Sequence, residues 1–171
     1  MFENVSKEIK LKASSVKILF TDVDGVLTDN GVYYSANGEE FKRFSLRDGM
    51  GVERLRMIFQ VETGIMTREN SLPVSKRAEK LKITELYMGV MDKAEKIKEI
   101  IEKKKLTLDQ VAYIGDDIND KEIMKLVGLR ACPADAMSFV KEIADYICVA
   151  NGGHGAFREF AELIIESKKY V

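Results

Sequence analysis

Short apolar runs punctuate the chain, and each ends in small or polar residues. Residues 16–20 stop at Thr21-Asp22, 64–66 at Thr67, and 111–114 at Gly115-Asp116. Residues 85–88, 129–132 and 146–149 are further runs of this kind. Unbroken apolar stretches of this length read as strands buried on both faces. Between them lie stretches with helical spacing. One carries Val52, Leu55, Ile58 and Phe59 behind Asp48, a residue suited to cap it, and a second starts at Asn70 or Ser71 with Pro73 in its first turn. A third spans 93–105 with Ile97, Ile100 and Ile101 in a stripe, and two more cover 120–127 and 157–167. Only one segment breaks the alternation. Val32-Tyr33-Tyr34, the turn around Asn37-Gly38, and residues 40–44 read as a β-hairpin inserted at about 31–44. Strands alternating with helices predict an α/β fold, a mostly parallel sheet between helices, in a single domain over 1–171.

Composition narrows the chemistry. Lys plus Arg number 27 and Asp plus Glu 28, so no broad basic face invites nucleic acid or an anionic membrane. No apolar run approaches the roughly 20 residues of a membrane span. The first fifteen residues do not read as a secretory signal either. Two cysteines, Cys132 and Cys148, make no disulfide framework and point to a reducing cytoplasm. The single histidine, His154, excludes a site built on several histidines within one chain.

In a parallel sheet, ligands gather beyond the carboxyl ends of the strands. The polar residues found there are Asp22, Asp24, Thr67, Lys93, Asp116, Asp117 and Asp120. Acids crowded at one sheet edge repel one another, and a hard divalent cation with oxygen ligands relieves them. Thr67 and Lys93 add a hydroxyl and a cation, which suit a phosphate dianion. Taken singly, Asp-x-Asp-Gly reads as a turn or cap, and Gly-Asp-Asp is equally ambiguous. Taken jointly and in order at strand ends, they describe phosphoryl transfer through an aspartyl-phosphate.

With these residues in order, the chain resembles the haloacid-dehalogenase superfamily of phosphatases, whose core is Rossmann-like. The resemblance implies that Asp22 is the nucleophile and Asp24 the general acid/base, with Thr67 and Lys93 on the phosphate. It implies Mg²⁺ held by Asp22, the Asp24 carbonyl and Asp116, with Asp117 and Asp120 behind them. Arg68 stands where relatives usually carry Gly, and either adds a phosphate contact or crowds the site. Too few residues separate Asp24 from Thr67 for a folded cap domain beyond the hairpin.

The segment Asp22 to Asp29, the hairpin, Phe44 to Gly49 and Asn151 to Glu159 resemble the capless 3-deoxy-D-manno-octulosonate 8-phosphate (KDO 8-phosphate) phosphatases. That family implies a homotetramer in which the hairpins share a barrel and a neighbouring subunit completes each active site. Tyr33, Tyr34, Phe41 and Phe44 would be buried by such a barrel, or else by their own subunit. Arg47-Asp48-Gly49 looks like the eight-carbon enzymes, whereas Glu69 and Lys80 match nine-carbon sugar acid 9-phosphate phosphatases. For the sugar carboxylate, Arg47, Arg68, Arg77 and Arg158 are the candidate cations, Arg158 standing beside a glycine loop that reads as a closing tail. A receiver domain is disfavoured because the third strand ends in Gly89 rather than Asp. A non-catalytic tetramerisation module is disfavoured by an intact Asp24.

Overall fold

A computed structural model describes Phe2 and residues 4–169. Met1, Glu3, Tyr170 and Val171, at the extremes of the expected 1–171 domain, lie outside them. Six strands form the main sheet: β1 (Ile18–Thr21), β4 (Glu62–Met66), β5 (Glu85–Tyr87), β6 (Val111–Ile114), β7 (Leu129–Cys132) and β8 (Tyr146–Ile147). Their order is β5-β4-β1-β6-β7-β8, and every neighbouring pair is parallel. The helices are α1 (Lys7–Ser15), α2 (Leu46–Phe59), α3 (Leu72–Leu81), α4 (Lys93–Lys104), α5 (Lys121–Leu126), α6 (Ser138–Lys141) and α7 (Ala156–Lys168).

Alternate strand residues face opposite layers. Leu19, Ala112 and Ile114 pack with α1, α2, α3 and α7, while Ile18, Phe20 and Tyr113 pack with α4, α5 and α6. Covered on both faces, β1 and β6 bury every residue, as the apolar runs predicted. From β1 the chain builds outward through β4 and β5, then returns to build β6, β7 and β8 on the other side. The crevice at this reversal lies beyond the carboxyl ends of β1 and β6, where Asp22 and Gly115-Asp116 leave the sheet.

The hairpin is β2 (Val32–Ser35) and β3 (Gly38–Lys42), antiparallel, with Gly38 at φ 105° and a register shift at Tyr33/Tyr34. Its second strand ends two residues before the expected limit. Tyr33 stacks on Phe41 at 4.8 Å, yet Tyr33, Tyr34 and Phe41 stay more than half exposed. Phe44 instead packs against the core, under the Arg77 guanidinium.

Several boundaries differ from expectation. Ser45, not Asp48, caps α2, its hydroxyl accepting from the Arg47 and Asp48 N–H groups. Ser71 caps α3. The segment before α5 begins as a 3-10 turn at Ile118–Asp120. β8 is two residues long, and α1 and α6 were not expected. Among the described residues, no helix is long and apolar enough to cross a membrane.

Candidate active site

β1 delivers Asp22 to the floor of an open cleft of about 490 Å³ lined by Asp22, Asp24, Thr67, Arg68, Asp116 and Asn119, among others. Asp22 is 4% exposed; its Oδ1 accepts the Val23 N–H at 2.7 Å and its Oδ2 the Asn119 amide at 3.0 Å. Lys93, the first residue of α4, points its ammonium into the sheet edge. It lies 2.9 Å from Asp22 Oδ2 and 2.7 Å from Asp120 Oδ1, and donates to the Tyr113 hydroxyl at 3.0 Å. Burial alone would lower the Lys93 pKa, but Asp22 and Asp120 outweigh it and hold it up. It is therefore a fixed positive charge.

Asp120 is wholly buried and occupied on both oxygens. Oδ1 accepts from Lys93 and the Tyr113 hydroxyl, Oδ2 from the Asp116 and Asp117 N–H groups. It organises the turn that carries Asp116 rather than offering an oxygen to the cleft. Asp117 accepts the Ile118 N–H and lines the cleft.

Asp116 nests against the loop after Asp24. Gly25 has φ 81°, and a Cβ there would fall 2.0 Å from Asp116 Oδ2. The backbone next to Asp24 and the Asp116 carboxylate thus approach more closely than any side chain at residue 25 allows. Carboxylate oxygens of Asp22, Asp116 and Asp120 lie within 4.8 Å of one another. Burial, then Asp120, pushes the Asp22 pKa up to about 7; burial, then Asp120 and Asp22, pushes Asp116 up to about 8. One ammonium does not balance three carboxylates. Hard oxygen donors with surplus negative charge fit a divalent cation, held by Asp22, Asp116 and the backbone beside Gly25.

Thr67 directly follows β4, is 2% exposed, and accepts the Glu69 N–H at 3.2 Å. Arg68 does not crowd the floor: it is exposed, its Nη2 3.9 Å from Met91 Sδ. Asp24 meets Lys42 from the hairpin at 2.6 Å, and Lys42 also contacts Glu39 at 3.2 Å. Glu39 in turn bonds Ser71, the cap of α3. The hairpin is thereby tied to the cleft.

The remaining sugar-acid candidates separate. Glu69 lines the cleft; Arg47, Arg77, Lys80 and Arg158 do not. Arg77 donates to the Ser45 carbonyl at 2.8 Å, Arg158 pairs with Glu162 at 2.7 Å, and Arg47 and Lys80 are exposed. The glycine loop does not lie over the mouth, since Gly152 and Gly153 are buried against the backbone of residues 25–29. Both cysteines are buried. Asn119, Tyr113 and Lys42 are site residues that sequence reasoning passed over. Only Asn119, one residue before Asp120 in an acidic strand end, carried a local signal.

Residues 64–160 match the haloacid dehalogenase-like hydrolase family. The chain belongs to that family. The 3-deoxy-D-manno-octulosonate 8-phosphate phosphatase KdsC of Escherichia coli K12 is 38% identical over 161 residues, covering 94% of this chain and 85% of the relative. The Moraxella catarrhalis phosphatase of the same name, solved with magnesium, phosphate and KDO, superposes with TM-score 0.91 at 32% identity. That match covers 95% of this chain and 92% of the relative. A cobalt-bound Haemophilus influenzae form gives 0.88 at 34% identity, with 92% of each chain covered. This chain is therefore a capless member of the haloacid dehalogenase-like hydrolases, in the branch of the KDO 8-phosphate phosphatases: between β1 and β4 it carries only the hairpin and α2.

Proposed function

We propose that this chain is a Mg²⁺-dependent phosphatase, a single cytoplasmic domain that hydrolyses KDO 8-phosphate to KDO and phosphate. The observation that carries the reading is Asp22, a buried carboxylate on the floor of an open cleft, against a fixed ammonium and a second acid that faces the same space. Asp22, Asp116 and the Asp24 carbonyl would hold Mg²⁺, which would supply the charge neutralisation that lets an anionic nucleophile and a phosphate dianion meet.

Lys93 and Thr67 hold the phosphate oxygens, and Arg68 reaches from the rim. Asp22 attacks phosphorus; the bond to the sugar oxygen breaks, and Asp24 delivers its proton to the departing alkoxide. Asp24, now ionised, takes a proton from water, whose oxygen attacks phosphorus and frees Asp22 and inorganic phosphate. Asn119 and the Val23 N–H keep Asp22 in one orientation throughout. Asp117 and Asp120 support the turn beneath Asp116.

The test is phosphate release from KDO 8-phosphate and from nine-carbon 9-phosphates, with Mg²⁺ and with chelator. Metal-dependent release, faster from the eight-carbon ester, is expected. Preference for a nine-carbon ester, which Glu69 in the cleft would serve, reassigns the substrate; release from neither removes the reading in favour of a scaffold.

The same reading makes the protein a homotetramer in which a neighbouring subunit closes each cleft. Support comes from Tyr33, Tyr34 and Phe41, too large an apolar surface to leave on an isolated ribbon. Tyr34→Glu with Phe41→Glu is expected to shift the light-scattering mass from four chains to one. An unchanged mass removes the hairpin from the interface.

A further inference from the structure

Asp48 is a buried acid that the proposed reaction does not use. It is 3% exposed in the first turn of α2, where Ser45 already provides the cap. Its Oδ1 accepts the Arg158 N–H at 2.9 Å, 110 residues away, and its Oδ2 has no partner among the described residues. That donor belongs to the first turn of α7, whose own cap, Gly155 at φ 112°, has no side chain to offer. A carboxylate there supplies what a capping residue would, satisfying open N–H groups and complementing the positive end of the helix.

What precedes α7 touches the catalytic loop without slack. The Gly153 N–H donates to the Val26 carbonyl at 2.9 Å. A Cβ at Gly152 would fall 1.9 Å from the Gly25 carbonyl oxygen, and one at Gly153 2.4 Å from the Asp29 nitrogen. The Gly152 N–H is fixed from the other side by Asp135 Oδ1 at 3.0 Å. Two glycines thus form a wedge behind the turn that carries Asp24 and Gly25, just ahead of the first turn of α7.

We propose that Asp48 is a positioning residue: by capping α7 from a different helix, it holds the Gly152-Gly153 wedge against the back of the catalytic loop. The inference goes beyond the assignment of the reaction, because it concerns the loop's order whatever the substrate. Removing the cap frees the start of α7, the wedge relaxes, and the loop samples conformations in which Asp24 leaves its place. The core strands, which do not depend on this contact, keep theirs.

The experiment is amide hydrogen exchange of the full-length protein, comparing Asp48→Ala, Asp48→Asn and the parent at a temperature where all are folded. Asp48→Ala is expected to speed exchange at Val26, Leu27 and Thr28 about tenfold, the loss of one capping interaction. The amides of β6 and β7 stay at parental rates. Asp48→Asn, which keeps an acceptor in place, restores protection. Where phosphatase activity is measured, Asp48→Ala lowers kcat about tenfold and leaves KM within about twofold. Uniform acceleration across β6 and the loop alike would make Asp48 a residue of general stability and overturn the proposal. Unchanged exchange in the loop would overturn it as well. Neither outcome depends on the parent hydrolysing a sugar phosphate, so failure here is separable from failure of the reaction assigned above.

Discussion

Asp22→Asn is expected to abolish phosphate release, by about 10⁴-fold or more, while leaving the fold intact. The amide keeps the shape of the side chain and an oxygen for the Val23 N–H, but it offers no anionic oxygen to form the bond to phosphorus. No neighbour replaces it: Asp120 is occupied by Lys93, Tyr113 and two backbone N–H groups, and Asp116 is held against the backbone at Gly25. The stability effect has the opposite sign from that of most core substitutions. The Asp22 pKa rises in the folded protein from an ordinary 3.8 to about 7. Its protonated form is thus favoured by folding, and that contribution is complete below pH about 4 and lost as pH climbs through about 7. At pH 8 without metal, the parent folds around an ionised Asp22 and Asn avoids that cost. The melting temperature of metal-free Asp22→Asn at pH 8 is therefore expected to equal or exceed that of the parent, with the gap closing towards pH 5. A variant that retained a tenth of parental turnover would remove Asp22 from the nucleophile's role.

The sheet was legible because its strands are covered on both faces, so burial wrote itself as unbroken apolar runs ending in Asp22, Thr67 and Asp116. The hairpin was legible from Asn37-Gly38. α1 was not: only Ala13 of its nine residues is buried, so no apolar stripe marks it. Asp48 looked like a local cap because an Asp before a periodic run is the usual signal. Its partner sits on α7, and such a pairing leaves no trace at short range. Lys42 reads in sequence as a solvated charge on a ribbon, yet its side chain is 3% exposed because Asp24 and Glu39 converge on it. Arg158 was drawn towards the cleft by its place beside the glycines, but Glu162, one helical turn later, holds it along α7. Asp22, Thr67, Lys93 and Asp116 were readable from local motifs, and the contacts that hold them in place run across the fold.

Lys93→Met is the substitution expected to damage both activity and stability. The ammonium is 1% exposed and is the cation that Asp22 and Asp120 share, at 2.9 and 2.7 Å. Methionine fills a similar volume, so packing is not the main loss. Two carboxylates and the Tyr113 hydroxyl are left facing one another with no positive charge between them. Breaking a buried pair from one side costs about 3–5 kcal/mol, because the desolvated partner keeps its penalty without its compensation. The denaturant midpoint of the metal-free protein is expected to fall accordingly. Mg²⁺ held by Asp22 and Asp116 would restore part of it, while Asp120, whose oxygens are taken by Tyr113 and the Asp116 and Asp117 N–H groups, would stay unbalanced. Turnover falls separately, by about 10²–10³-fold, for loss of a preorganised donor on the phosphate. Added metal is not expected to return it, since a cation held by Asp22 and Asp116 would not replace a hydrogen-bond donor at the position of Lys93. Lys93→Arg is no conservative rescue: a planar guanidinium is too large for a site closed by Asp22, Asp120 and Tyr113. Stability and turnover measured with and without Mg²⁺ separate the two effects. Full recovery of turnover by Mg²⁺ would show that Lys93 serves only to balance the buried acids.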